Sequence, residues 1–220
     1  MRIKTAQLRE IKMKSFVDGT HATVVGGGPV GCVLAELLAR QGFEVEIYEK
    51  RPDMRRVDIS AGRSINLVLT RRGLKALEPL GLRDKVLKIT VPVIGRMMHA
   101  VDGELTYQPY GKDDSERNYS VSRGELNAFL LTAAEEAGVK IHFDHQLVGA
   151  DFEAEELVFE LEDGTKKTLQ AGVIFGADGA FSGVRQAMVA KHGIESRIEW
   201  LQHGYKELLF AAAADGSYAM

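Results

Sequence analysis

The sequence predicts an α/β fold with β insertions, and three observations carry that prediction. A glycine-rich turn separates an apolar strand from a helix near the N-terminus. A second apolar strand runs into Asp178-Gly179. Between the two lie short strands separated by turn dipeptides such as Asp102-Gly103 and Asp163-Gly164. At 220 residues with 45% hydrophobic content, the chain has ample material for a buried core.

Residues 1–20 carry scattered Lys and Arg without a continuous apolar core, and read as a mildly basic extension rather than a secretory signal. Residues 23–25 read as a buried strand and residues 29–41 as a helix stopped by Gly42. Between them Gly26, Gly28 and Gly31 stand at GxGxxG spacing. Gly26 permits the tight turn, Gly28 lets the backbone approach a pyrophosphate, and Gly31 lets helix and strand pack closely. The helix N-terminus then offers free N–H groups and a favourable dipole to phosphate. A second strand at 44–48 ends at Glu49, 18 residues beyond Gly31. A carboxylate there accepts the hydroxyl hydrogens of a ribose and repels a 2′-phosphate. GxGxxG alone also occurs in ordinary glycine-rich turns. The strand before it, the helix after it and the acid at this distance select a dinucleotide-binding, Rossmann-like βαβ unit. Cys32 and Ala35, small residues in the helix, fit FAD at least as well as NAD.

Residues 51–63 are polar and basic, contain Pro52, and read as a long loop before a short apolar stretch at 64–69. Leu74, Leu77 and Leu80 give residues 71–80 a helical spacing that Gly81 ends. Residues 91–100 and 104–107 read as strands of a hairpin around Asp102-Gly103, and 111–117 as a charged loop. After a brief strand at 119–121, residues 123–137 form an amphipathic helix with Leu126, Phe129, Leu130 and Ala133 on one side, closed by Gly138. Strands at 140–143, 146–153, 157–162 and 167–170 follow, the last two joined by Asp163-Gly164. Residues 172–176 form a buried strand leading into ADGAFSGVR, and residues 199–209 begin a further strand or loop. The final AAAADGSYAM has no closing helix, which suggests a part of a larger protein.

Composition excludes several function classes. Lys plus Arg at 28 against Asp plus Glu at 31 give a net charge of −3 and no basic surface for nucleic acid. No apolar run reaches the length of a membrane segment. A single cysteine, Cys32, excludes an internal disulfide and a cysteine metal cluster, and suits a reducing, cytoplasmic compartment. His142 and His145, near a strand end, are expected to point to opposite faces and so not to share a metal. Ser122 and Ser182 lack a paired His and acid, and no GxSxG elbow occurs.

Two further segments carry chemistry. The strand entering Asp178-Gly179 and a helix start places a carboxylate beside a cofactor ribose, with Gly179 allowing close backbone approach; Asp-Gly is also a common turn. In YSVSRGELN at 119–127, Ser122 is an N-cap with Glu125 three residues on, as a capping box requires. Arg123 reads equally as a first-turn surface residue or as a partner for a dinucleotide phosphate.

Together with GRSINL at 62–67, QPYG at 108–111 followed by DDSE, and HGYKEL at 203–208, these motifs make the chain resemble the flavoprotein aromatic hydroxylases from about residue 22 to its end. GxGxxG and Asp-Gly mark that family broadly, whereas GRSINL, QPYG and HGYKEL mark its members that act on L-kynurenine. The resemblance implies FAD held by Gly26, Gly28, Gly31, Glu49, Arg123 and Asp178, with Asn66 near flavin and substrate. It implies that Arg96, in GRMMH, and Tyr110 grip the substrate carboxylate. On the residues alone, Arg96 is a solvated strand residue and Tyr110 a half-buried hairpin aromatic. A two-pronged guanidinium beside a directional hydroxyl is nonetheless suited to orient a carboxylate. The resemblance further implies NADPH as reductant, O2 as co-substrate and 3-hydroxykynurenine as product by way of a C4a-hydroperoxyflavin, with no catalytic side chain and no metal. In domains it implies an extension at 1–20, an FAD-binding domain at 21–190 with a substrate-sheet insertion around 85–110, and the start of a substrate domain at 191–220. The family's second Gly-Asp flavin motif is absent. Two other readings are an FAD-binding module without turnover and a different FAD-dependent oxidoreductase; GRSINL and HGYKEL argue against the latter.

Overall fold

The computed structural model describes residues 20–56, 66–113, 115–204 and 214. The chain begins with β1 (His21–Val25), α1 (Pro29–Ala39), β2 (Glu44–Tyr48) and β3 (Asn66–Leu69). Next come α2 (Arg71–Leu77), a 3-10 turn (Glu78–Leu80), α3 (Arg83–Leu87), β4 (Val91–Val93), β5 (Gly95–His99), β6 (Leu105–Pro109) and β7 (Asn118–Ser122). The remainder is α4 (Arg123–Glu136), β8 (Lys140–His142), β9 (Gln146–Asp151), β10 (Glu156–Glu160), β11 (Lys166–Gln170), β12 (Val173–Gly176) and α5 (Gly183–His192). Two units divide it: Met1–Asp58 with Asn127–Glu195, and Ile59–Leu126 with Ser196–Met220.

The first unit is built on a four-stranded sheet in the order β12-β1-β2-β8, parallel throughout. Strands covered on both faces need continuous apolar sequence. β1 accordingly buries Ala22, Val24 and Val25, and β2 buries Val45, Ile47 and Tyr48. The buried polar side chain of β1, Thr23, donates its hydroxyl to the Ala171 carbonyl at 2.7 Å, so it is not stranded there. α1 starts with Pro29 in its first turn, where the missing N–H costs nothing, and buries Gly31, Cys32 and Ala35. It ends before Gly42, which sits at φ +90°. Beside this sheet an antiparallel one runs β11-β10-β9. Leu157 and Phe159, on alternate positions of β10, are fully buried and join Val25, Tyr48, Ala150, Ala171 and Val184 in one core.

In the second unit β3, β7 and β4 form an antiparallel sheet in the order β3-β7-β4, and β5 pairs with β6 as a separate two-stranded ribbon. The strand expected over 91–100 is therefore two strands in different sheets, interrupted at Ile94. The helix expected over 71–80 is α2 followed by a 3-10 turn, because Pro79 has no N–H to continue the α-helical ladder. α3 was not anticipated; it buries only Val86 and is too short to show a period. Residues 199–204 form no strand, and the rest of the segment expected at 199–209 lies outside the described residues, as do residues 1–19 and most of GRSINL and HGYKEL.

Candidate functional site

The strand register brings three segments of the first unit to one edge. Val25, the last residue of β1, pairs with Tyr48 on one side and Gly176 on the other, so Gly26, Glu49 and Ala177 leave the sheet together. The backbone stays knitted just beyond the strands: Gly26 N–H donates to the Tyr48 carbonyl and Ala177 N–H to the Val25 carbonyl, both at 2.8 Å. β2 and β8 lie on one side of β1 and β12 on the other. Such a change of direction opens a crevice at the carboxyl ends of the strands, where open α/β sheets bind ligands.

Each glycine of the motif meets a different surrounding. Gly26 stands at φ +107°, and a Cβ there would lie 2.6 Å from the Ala177 carbonyl oxygen and 2.9 Å from Asp178 Cα. A Cβ on Gly31 would overlap the Gly26 carbonyl. Those two glycines are therefore required by the protein itself. On Gly28 a Cβ would meet nothing within 4 Å, which leaves open space at the start of α1 where a phosphate fits. Gly27, absent from the sequence prediction, ties the loop to β2: its N–H donates to Glu49 Oε2 at 2.7 Å, while Arg51 N–H donates to Glu49 Oε1 at 3.0 Å. A carboxylate has about four lone-pair directions, so both oxygens retain capacity for ribose hydroxyls. The Gly27 carbonyl accepts from Asn127 Nδ2 at 3.1 Å and from Cys32 Sγ at 3.4 Å. Burial, reinforced by the nearby Glu49 charge, pushes the Cys32 thiol up to about 12, so it stays protonated and serves as a donor.

Asp178 stands at the same edge, just after β12. Its Oδ2 accepts from Gly183 N–H at 2.7 Å and Val184 N–H at 3.2 Å, and with Ser182, whose hydroxyl accepts from Arg185 N–H at 3.0 Å, it caps α5. Asp178 Oδ1 is buried and has no hydrogen-bond partner. A buried acceptor left empty is costly, and one at this edge is suited to a hydroxyl donor. Together, the open face of Gly28, the partly used Glu49 carboxylate and the orphaned Asp178 oxygen fit a dinucleotide.

The structure thus gathers Gly26, Gly28, Gly31, Glu49 and Asp178. Arg123, Asn66, Arg96 and Tyr110 belong to the second unit. Arg123 is the first residue of α4, after Ser122, whose hydroxyl accepts from Glu125 N–H at 3.4 Å as half of the expected capping box. Asn66 opens β3 opposite Ser122. Arg96 pairs with Gln108 across the ribbon, its Nε donating to Gln108 Oε1 at 2.7 Å. Strand alternation places Arg96 and Gln108 on one face, while Tyr107 packs over Gly95 on the other; Tyr110 follows directly after β6, its N–H donating to the Ile94 carbonyl at 2.9 Å. The expectation that His142 and His145 diverge is corrected. Asp144, at φ +58°, turns the chain back and leaves the two rings 5.7 Å apart beside Tyr48. Among the described residues no three His, Cys, Asp or Glu side chains are grouped as a metal would require, and no helix is long and apolar enough to cross a membrane.

Comparison with known proteins follows the same lines. A family described as FAD binding domain matches residues 19–215. The kynurenine 3-monooxygenase of Myxococcus xanthus is 47% identical over 201 residues, covering 90% of this chain and 43% of that protein. The Anopheles gambiae kynurenine 3-monooxygenase is 40% identical over 200 residues, covering 90% and 41%. The chain therefore spans less than half the length of these relatives. Among solved structures, p-nitrophenol 4-monooxygenase from Pseudomonas putida superposes with a TM-score of 0.64 at 22% identity, over 77% of this chain and 43% of that one, which speaks to fold alone. 2-Methyl-3-hydroxypyridine-5-carboxylic acid oxygenase gives 0.63 at 26% identity, over 78% and 43%.

Proposed function

This chain belongs to the FAD-binding domain family, and from that premise we propose that it carries the ADP end of the FAD site in a flavin-dependent hydroxylase that converts L-kynurenine to 3-hydroxykynurenine. The observation that carries the cofactor reading is the convergence of the open Gly28, Glu49 and the unpartnered Asp178 oxygen at one sheet edge. The substrate reading is supported by relatives 40–47% identical that bear the kynurenine 3-monooxygenase name, and by the position of Arg96 on the ribbon whose second strand runs directly into Tyr110.

In this reading the first turn of α1 and the glycine loop bind the diphosphate. Glu49 accepts ribose hydroxyls, Asp178 Oδ1 accepts a further cofactor hydroxyl, and Arg123 neutralises phosphate charge. Arg96 and Tyr110 hold the substrate carboxylate, with Asn66 close to flavin and substrate. When bound, FAD supplies the redox and oxygen chemistry, with NADPH as reductant and O2 as the source of the hydroxyl. The protein's task is to orient the aromatic ring and exclude water, so no side chain need act as nucleophile or metal ligand.

Titration of the purified chain with FAD, followed by flavin fluorescence, tests the cofactor reading; saturable binding and a yellow protein are expected, and a chain that stays colourless overturns it. NADPH oxidation stimulated by L-kynurenine tests the hydroxylase, and FAD binding without it leaves a binding module alone. Arg96→Met should raise the L-kynurenine dissociation constant roughly tenfold or more, the loss of one charge-assisted pair. An unchanged constant removes Arg96 from the site.

A further inference from the structure

Resting on the reading of the glycine loop as a diphosphate cradle, we propose that Asn127 is a positioning residue for that loop, aiming the Gly28 N–H at the phosphates through its grip on the Gly27 carbonyl. In a trans peptide the C=O and the following N–H point in opposite directions. Whatever fixes the Gly27 oxygen therefore fixes the Gly28 N–H, and Gly28 is the loop residue whose Cβ direction is open.

The Asn127 amide spends both donor hydrogens on this arrangement, one on the Gly27 oxygen at 3.1 Å and one on Met54 Sδ at 3.1 Å. Its Oδ1 is left buried with no partner. Turning the amide over would set that oxygen against two acceptors, so the orientation is fixed by what the donors hold. A buried, unsatisfied acceptor is unfavourable, and its retention marks the Gly27 contact as the one that matters. Cys32 approaches the same oxygen from α1, but a thiol is a weak donor and its distance is 3.4 Å. Asn127 is itself held in place. α4 buries Leu130, Leu131 and Ala134, and two turns beyond Asn127 its Glu135 is gripped by Arg55 of the segment that carries Met54. The glycine loop, the segment after β2 and α4 are thus cross-linked through one amide.

The test compares FAD, ADP and adenosine binding to the parent chain, to Asn127→Leu, which has similar volume and no donor, and to Asn127→Asp, which sets a carboxylate against the Gly27 oxygen. FAD and ADP are followed by calorimetry, adenosine by NMR titration, and folding by far-ultraviolet circular dichroism. Asn127→Leu should weaken FAD and ADP roughly three- to tenfold, the range for one lost hydrogen bond, and leave adenosine, which has no phosphate, unchanged. Asn127→Asp should weaken them further, and where leucine is not accepted Asn127→Ala, which removes the donor without adding bulk or charge, serves as the folded variant with the same expectation as leucine. Equal FAD affinity in parent and variants overturns the proposal. So does a loss that falls equally on adenosine and ADP, because that marks a general structural role. A parent chain that binds no FAD overturns the site reading and this inference together, whereas a parent that binds while the variants match it removes only the inference.

Discussion

At Gly31 an added Cβ would run into the Gly26 carbonyl, whereas at Gly28 it would enter open space. The two glycines of one motif therefore fail in different ways when a single methyl is added. Gly31→Ala forces apart α1 and the end of β1, both part of a closely packed layer, and overpacking of this kind against backbone costs about 3 kcal/mol. A chain of this size should lose about 5 °C or more in Tm. Gly28 has φ −73° and ψ 175°, an extended conformation that alanine adopts without strain. Gly28→Ala should keep the parent Tm and weaken FAD binding roughly tenfold, since the methyl takes the space of a charge-assisted phosphate contact. Calorimetric Tm and flavin titration on both variants separate the two roles. A Gly28→Ala chain that binds FAD like the parent would show that the open space is not the phosphate site.

Between elements, Arg55 does for the segment after β2 what a strand ladder does within a sheet. Its guanidinium grips Asp53 through Nε at 2.8 Å and Nη2 at 2.9 Å, and reaches α4 through Nη2 to Glu135 Oε1 at 3.1 Å. The Arg55 hydrogen bonds hold the Asp53 carboxyl below the usual carboxylate range despite its burial. The two acids differ in exposure, with side chains 10% and 42% accessible. Removing the arginine leaves a nearly buried carboxylate with only the exposed Arg56, its Nε 3.4 Å from Asp53 Oδ2, as a cationic partner, and Arg55→Ala should cost about 2 kcal/mol. Glu135→Ala leaves Arg55 still paired and should cost less than about 1 kcal/mol. Urea midpoints at constant slope give the order, and equal losses would deny Asp53 its dependence on Arg55. This brace was invisible in the sequence, where 51–63 reads as a polar loop. Local pattern shows what a segment is, not which segment 80 residues away receives it. The same limit explains Ile94, where one apolar run serves two sheets, and Asn127, whose partner lies 100 residues earlier. By contrast the glycine spacing, Glu49 and the Asp178 turn were legible because their chemistry is local: a strand end, a tight turn and a helix start leave the same residues wherever they occur.

For the molecule as a whole, the response to acid follows from where burial has shifted its titrating groups. Glu46 is partly buried, which alone would raise its pKa, but the Tyr48 hydroxyl at 2.6 Å and the neighbouring His142, His21 and Lys140 hold it below its usual value. His142, stacked on Tyr48 with its Nε2 3.3 Å from Glu46 Oε2, is moved the other way relative to charge. Burial disfavours its imidazolium and lowers its pKa, and the Glu46 carboxylate only partly offsets this. The signs then separate into two steps. A histidine with a depressed folded pKa contributes stability above its unfolded value near 6.5 and loses it as pH falls through the folded value, because the unfolded chain takes the proton first. Glu46 and Asp53, both depressed, contribute above unfolded values of 4.5 and 3.8 and lose their share only as pH falls below these. Tm measured from pH 7.5 to 3.5 should therefore fall first below about 6.5 and again below about 4.5. His142→Gln, which keeps a polar side chain at the Tyr48 stack but cannot titrate, should flatten the upper step; in the lower one it should shrink the share of Glu46, which loses one of its cationic neighbours, and leave that of Asp53. If the upper fall persists unchanged in that variant, the acid sensitivity belongs to another histidine, and the stack of His142 on Tyr48 plays no part in it.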